Sequence, residues 1–343
     1  MQASKGACDV FIISIMKTYF EKLSQGYALT QQEAYSAMTG LMQKELNATQ
    51  TAAVLAFYRA RPITLQELSG MAAALEEHCI KIEFEQETMD VCGTGGDGRN
   101  TFNISTLSAI VLAASGIPVA KHGNYGSTSV SGSSDILKYL GYEFTNDINV
   151  LRRQLDENNI CFLHAPLFHP ALSSVASLRK EIGFRTFFNL IGPLTNPANI
   201  SAKFVGVFNQ ETARLYHYYL QTQNIRYTIV NSIDGYDEIS LTGAVKSYSN
   251  QSEKLYSPAE LNFEALMPED IVGGHTMEES ARIFVNVLLN KETHQRKNVV
   301  LANAAAAYCC YSPQAPFHQA VEICKEAIDS GKAFNVLKNI TKK

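Results

Sequence analysis

The chain reads as an α/β protein with an all-helical N-terminal domain and a mostly parallel central sheet flanked by helices. Three observations carry that reading. Residues up to about 85 show helical periodicity and helix caps, with no strand signal before Thr88. From Thr88 onward, short apolar runs alternate with helical patterns, as in a parallel sheet covered by helices. Between the first such run and the next helix lies a glycine-rich turn, Asp90 to Thr106.

The elements follow in order. Residues 11–24 are apolar-periodic and stop before Gly26. Thr30 and Glu33 form a capping box that opens a second helix, residues 47–60 form a third ended by Pro62, and Thr64 with Glu67 opens a fourth to about Ile80. Strands are expected at 89–92, 117–120, 160–163, 204–208 and 227–230, with helices at 103–115, 134–140, 148–158, 170–182 and 211–223. Residues 238–242, 244–248 and 254–256 read as a short antiparallel excursion. Helices from Thr276 to Leu289, at 299–308 and at 317–328 complete the chain.

Composition narrows the function. At 343 residues the chain can hold one or two domains and a large core. A net charge of −4 gives no electrostatic footprint for nucleic acid. No apolar run is long enough to span a bilayer, and Lys17 interrupts the short apolar stretch near the start. The seven Cys are odd in number and contain no Cys-x-x-Cys pair, which argues against a disulfide framework and for a reducing cytoplasm. The eight His show no zinc-binding spacing.

The chemistry concentrates in a few places. Gly93, Gly95, Gly96 and Gly98 allow the backbone to approach an anion closely, and the following helix start at Asn103, Ile104, Ser105 and Thr106 presents N–H groups and a positive dipole end. A second loop, Lys121-His122-Gly123-Asn124, is followed by Gly126-Ser127-Thr128-Ser129. Two anion-friendly loops separated by one helix suggest a ligand with more than one phosphate. Neither the P-loop nor the dinucleotide fingerprint fits. Asp237 and Glu238 sit in an expected turn; paired acids there are usually solvated, but beside phosphates they suit magnesium. Asp97 raises the same question. Arg179 is either a surface residue or a fork for a planar carboxylate. The turn-rich stretch from Arg185 to Pro197 reads as a packed connection.

Taken together, Asp90 to Asp97, Asn103 to Thr106, Lys121 to Asn124, Ser131-Gly132-Ser133, His169-Pro170, Arg179, Arg185 to Pro197 and Asp237-Glu238 closely resemble the anthranilate phosphoribosyltransferases over nearly the whole chain. The resemblance implies a small helical domain, 1–86, joined by helices from about 152–182, and a large α/β domain, 87–151 and 183–343. The active site would lie in the hinge cleft. It implies transfer of the phosphoribosyl group of 5-phosphoribosyl diphosphate to the amine of anthranilate, in tryptophan biosynthesis, by a cytoplasmic homodimer using magnesium, two ions per subunit. Gly93, Gly96 and Asp97 would line the diphosphate and ribose. Thr101, Asn103, Ile104, Ser105 and Thr106 would hold phosphate. Lys121, His122, Gly123, Asn124, Tyr125, Gly126, Ser127, Thr128, Ser129 and Ser133 would wrap the sugar phosphate and diphosphate. Gly93, Asn124 and Arg179 would contact anthranilate, and Ser105, Asp237 and Glu238 would bind magnesium. Lys121, Asn124 and Arg179 stand as the catalytic set.

Three positions depart from the family pattern. Tyr125 stands where Arg is frequent, Val130 where Lys is common, and Phe168 in place of the first His of a His-His-Pro. The first two remove positive charge near phosphate; the third would alter the wall of the anthranilate channel. Two rival readings are a pyrimidine nucleoside phosphorylase, which the acidic pair and Arg179 disfavour, and a non-enzymatic nucleic-acid binder, which the acidic net charge and intact loops disfavour.

Overall fold

The computed structural model describes residues 16–126 and 131–341. The described chain divides into two compact units.

The first unit comprises the residues through Ile80 together with His169–Thr195. Its helices are residues 16–24, Gln31–Met42, Ala48–Ala60 and Leu65–Glu77. The start of the helix expected at 11–24 lies outside the described residues. Thr30, Asn47 and Thr64 each close a capping box with Glu33, Gln50 and Glu67, which satisfies backbone donors at three helix starts. Helices Gln31–Met42 and Leu65–Glu77 touch at Gly70, where a Cβ would sit 2.1 Å from the Gln31 carbonyl oxygen. Leu29, Met38, Leu55, Leu68 and Met71 fill the core. The returning segment carries a 3₁₀ turn at Pro170–Leu172, helix Ser173–Ile182, a short helix Phe188–Ile191 and a second 3₁₀ turn at Gly192–Leu194. The exchanged segment is therefore 169–195 rather than 152–182. Helix Ile148–Asn158 belongs with the sheet, where Leu151 and Leu155 pack beside Cys161 and Leu163.

The second unit, Lys81–Phe168 with Asn196–Lys343, is built on one seven-stranded sheet. Its strands are β1 (Met89–Gly93), β2 (Val119–Gly123), β3 (Ile160–His164), β4 (Ala202–Gly206), β5 (Arg226–Ser232), β6 (Val245–Ser249) and β7 (Glu253–Tyr256). The order is β3-β2-β1-β4-β5-β6-β7. The first five are parallel and the last two antiparallel. Helix Ile104–Ala114 is buried almost throughout, and the alanine-rich helix His294–Tyr311 packs against it. Burial pushes the thiols of Cys92 and Cys310 up to about 12 and about 11, which leaves them as protonated core residues.

Two sequence expectations change. Residues 238–242 form a bend rather than a strand, because Ile239 bonds to the side chain of Asn303 instead of a neighbouring strand. The chain also carries a last helix, Lys332–Thr341, beyond the expected 317–328. Its buried Ala333, Leu337 and Ile340 hold it to the large core.

Candidate active site

β1 and β4 lie side by side at the centre of the sheet, where the chain changes direction from building one half to building the other. Crevices outside the carboxyl ends of strands at such a switch point are where open α/β sheets bind ligands. Here both strands end in glycine, and the register sets Gly93 directly opposite Gly206. The pairing has a steric reason. The Asp237-Glu238 turn passes so low over the two strand ends that a Cβ on Gly206 would sit 1.7 Å from the Asp237 carbonyl oxygen. One on Gly93 would sit 2.5 Å from Asp237 Oδ2.

The glycine loop wraps the same turn. Gly95, Gly96 and Gly98 take left-handed φ of +65°, +77° and +75°, which side chains rarely adopt. The Thr94 N–H donates to the Gly206 carbonyl at 2.9 Å, and the Gly95 N–H to Asp237 Oδ2 at 2.6 Å. Arg99 donates to the Asp234 carbonyl at 3.0 Å and lies over the Tyr236 ring, which ties the loop to the acidic turn. The far arm of the loop is held by residues 272–274: Thr101 bridges Val272, and the Gly273 N–H donates to the Asn100 carbonyl at 2.6 Å.

Asp237 and Glu238 are each only 6% exposed, so they are not the solvated pair that a turn suggests. Burial raises the Asp237 carboxyl to about 7, and the nearby Asp97 charge adds to the shift. Asp97 thus faces Asp237 across the glycine loop, and each carboxyl disfavours ionisation of the other. Burial likewise pushes Glu238 well above the usual carboxylate range, helped by Asp237 and opposed by Lys121 and the Ser105 N–H. Ser105 thus stands beside Glu238 at the start of helix Ile104–Ala114. The donor set is hard and oxygen-based, its negative charge is undercompensated, and it sits at a helix N-terminus. That chemistry fits a magnesium ion shared between carboxylates and a substrate phosphate. Among the described residues, no three His, Cys, Asp or Glu side chains form a group that could hold a metal ion by themselves.

The second loop meets the helix start. Asn103, at the N-cap position of helix Ile104–Ala114, makes no side-chain capping bond; its amide donates to the Ser131 carbonyl at 3.0 Å and accepts from the Ser131 hydroxyl at 3.1 Å. Ile104 and Thr106 are buried in the first turn. Asn124 accepts from the Ser133 hydroxyl and the Ser134 N–H through its carbonyl, both at 3.2 Å. Asp135 Oδ2 takes the N–H groups of Gly126 and Gly132 at 2.7 and 2.9 Å. Ser127, Thr128, Ser129 and Val130 lie outside the described residues. Tyr125 is 43% exposed and meets His164 edge-on, with Lys138 over its ring.

Lys121 is placed differently from a phosphate-reaching lysine. Its Nζ is buried in the sheet and donates to the Val91 carbonyl at 2.5 Å. Burial lowers its pKa, while the acids around it oppose that. Beside it, Lys203 pairs with Asp90 at 2.9 Å, and Asp90 also accepts the His122 N–H at 3.0 Å. Burial alone would raise Asp90, but Lys203 and Lys121 hold it below the usual carboxylate range. Phe168 is 1% exposed in a cluster with Ile82, Phe84 and Leu163, and so is a core residue rather than a channel wall. Arg179 lies in the other unit, half-buried on helix Ser173–Ile182.

The sequence reading missed Gly206, Gly273, Lys203 and Asn303. The Gly273-Gly274 pair and a lone Asn in an alanine-rich helix were visible signals; nothing local marked Gly206 or Lys203.

Residues 85–334 match the glycosyl transferase family, a/b domain, and residues 17–79 match the glycosyl transferase family, helical bundle domain. An anthranilate phosphoribosyltransferase of Cytophaga hutchinsonii is 46% identical over 328 residues, covering 95% of this chain and all of that one. The chain belongs to the anthranilate phosphoribosyltransferase family. The crystal structure of the family's member from Thermus thermophilus superposes with a TM-score of 0.86 at 32% identity, covering 94% of this chain and 98% of that one. The anthranilate phosphoribosyltransferase of Saccharomyces cerevisiae in complex with PRPP and Mg gives 0.87 at 27% identity, covering 96% and 97%.

Proposed function

We infer that the protein transfers the phosphoribosyl group of 5-phosphoribosyl diphosphate to the amine of anthranilate, in tryptophan biosynthesis. The products are N-(5-phosphoribosyl)anthranilate and pyrophosphate. One observation carries the reading: a buried, undercompensated acidic pair seated across Gly93 and Gly206, with a glycine loop and a helix N-terminus on either side.

In this reading the glycine loop (Gly93, Gly96, Asp97, Thr101) and the helix start (Asn103, Ile104, Ser105, Thr106) hold the diphosphate and ribose. The second loop, from His122 through Ser129 with Ser133, wraps the sugar phosphate and diphosphate. Asp237, Glu238 and Ser105 would hold magnesium, which neutralises charge on the leaving pyrophosphate. Lys121 acts from within the sheet as a counter-charge to Glu238. Gly93, Asn124 and Arg179 receive anthranilate, the last through its carboxylate. The amine nitrogen forms a bond to C1 of the ribose as the C1–O bond to pyrophosphate breaks, and the amine then loses a proton. Placing the amine at C1 supplies up to ~7–11 kcal/mol of the acceleration. Each well-aimed donor to the departing oxygens adds about 2.7–4 kcal/mol. No dedicated base is needed. The working form is proposed as a cytoplasmic homodimer with two magnesium ions per subunit.

The test is direct. Purified protein mixed with anthranilate, 5-phosphoribosyl diphosphate and magnesium should consume anthranilate, read as loss of its fluorescence, and release pyrophosphate. Turnover of thymidine or uridine with inorganic phosphate, and none of anthranilate, would make it a phosphorylase instead.

A further inference from the structure

Arg179 rests in a seat built by the segment that follows it. Helix Ser173–Ile182 ends at Gly183, whose φ of +70° turns the chain back. The short helix Phe188–Ile191 then comes up against the guanidinium. Arg179 Cζ lies 5.0 Å from the centre of the Phe188 ring, and its Nη2 donates to Asn189 Oδ1 at 3.2 Å. The same oxygen accepts the Thr186 N–H at 3.2 Å. Two N–H donors converging on one amide atom identify it as the oxygen. Phe188 in turn stacks on Phe187 at 4.5 Å, Phe187 meets Tyr58 edge-on at 5.2 Å, and the Tyr58 hydroxyl donates to the buried Glu67 at 3.0 Å. The ring beside Arg179 is therefore braced by a heavily bonded carboxylate of the helical unit.

The chemistry of this seat is selective. A guanidinium carries five N–H donors in a rigid fork. Asn189 engages one of them, and Phe188 offers a ring face. Neither partner is charged, so the full positive charge stays available to an incoming anion. A carboxylate at position 189 would hold the fork as well or better, but it would neutralise it.

We propose that Asn189 is a positioning residue that sets specificity for the carboxylate of the acceptor: its neutral amide oxygen orients Arg179 without consuming its charge. This rests on Arg179 as the acceptor's clamp. The stretch from Arg185 to Pro197, which the sequence suggests is only a packed connection, then has a functional member.

The experiment compares Asn189→Asp, Asn189→Ala and Arg179→Ala in the full-length enzyme, with KM for anthranilate, KM for 5-phosphoribosyl diphosphate and kcat measured for each. Asn189→Asp should raise the anthranilate KM at least tenfold, and Asn189→Ala only three- to fivefold. The diphosphate KM and kcat should stay within twofold. A merely structural role moves both KM values together and makes alanine the worse replacement; that pattern overturns the proposal. If Asn189→Asp does not fold, the proposal stands or falls on whether Asn189→Ala shifts the anthranilate KM alone. The parent reading is separated by Arg179→Ala. An unchanged anthranilate KM there removes the clamp, and the Asn189 role with it. A raised one, with Asn189→Asp silent, overturns only the role of Asn189.

Discussion

Each unit buries an acidic site, and the two have opposite electrostatics. Glu67 of the helical unit is fully buried. It accepts the Leu29 and Thr64 N–H groups, the Tyr58 and Thr64 hydroxyls, and two bonds from Arg61. Burial alone would raise its pKa, but Arg61 and those donors hold it below the usual carboxylate range. Asp237 and Glu238 of the sheet unit are buried almost as deeply, yet Asp97 acts on Asp237, Asp237 and Asp97 act on Glu238, and both are raised. A buried charge is stable where donors match it and costly where they do not. Glu67 is therefore part of the scaffold. On the function proposed above, the acidic turn is a site whose charge magnesium would complete.

The contrast breaks most visibly if both acids of the turn are neutralised. Asp237→Asn with Glu238→Gln should lower turnover on the order of 10²–10³-fold, the loss expected when a main electrostatic stabiliser of the leaving group is removed. The unfolding midpoint should hold or rise, because two buried carboxyl groups whose ionised forms are poorly compensated have gone. An unchanged magnesium titration would exclude the pair as metal ligands. The converse substitution is Glu67→Gln. It strips Arg61 of its partner and should cost roughly 3–5 kcal/mol. Thermal denaturation should show a lower midpoint, with the magnesium dependence of catalysis unmoved.

Proton linkage sharpens the comparison further. The Asp237 pKa is raised, so its contribution to stability is complete below 3.8 and is lost as pH rises through about 7. Glu67 is lowered, so its contribution is present above the ordinary value of 4.5 and is lost as pH falls through its folded pKa. Without magnesium, the protection of amides around residues 231–239, taken relative to their intrinsic exchange at each pH, should therefore fall from pH 4 toward 7, and that around Leu29 and Thr64 only on acidification. Parallel pH profiles for the two regions would contradict the assignment. The smallest effect concerns Tyr125, an exposed aromatic in the second loop, where the resemblance described above leads one to expect arginine. Tyr125→Arg should lower the diphosphate KM roughly two- to fivefold, as one exposed ion pair allows. Steady-state kinetics at low salt would detect it.

Much of this molecule was legible in one dimension. The helical start followed from capping boxes at Thr30 and Thr64, and the parallel sheet from the alternation after Thr88, because both are encoded by neighbours a few residues apart. The glycine loop announced itself because Gly95, Gly96 and Gly98 occupy backbone conformations that other residues resist. Tertiary structure decided what these pieces do to one another. That Asp237 and Glu238 are buried depends on Gly206, which lies on another strand and has no local reason to be glycine. That residues 238–242 bend rather than pair depends on Asn303, which lies 64 positions from Ile239. That Lys121 points into the sheet depends on the carbonyl of Val91 and the charge around Asp90. Hydrogen bonding along the chain is local and leaves a pattern in sequence, whereas desolvation and charge compensation depend on whatever the fold brings within a few ångströms, and that is set only when the chain has closed on itself.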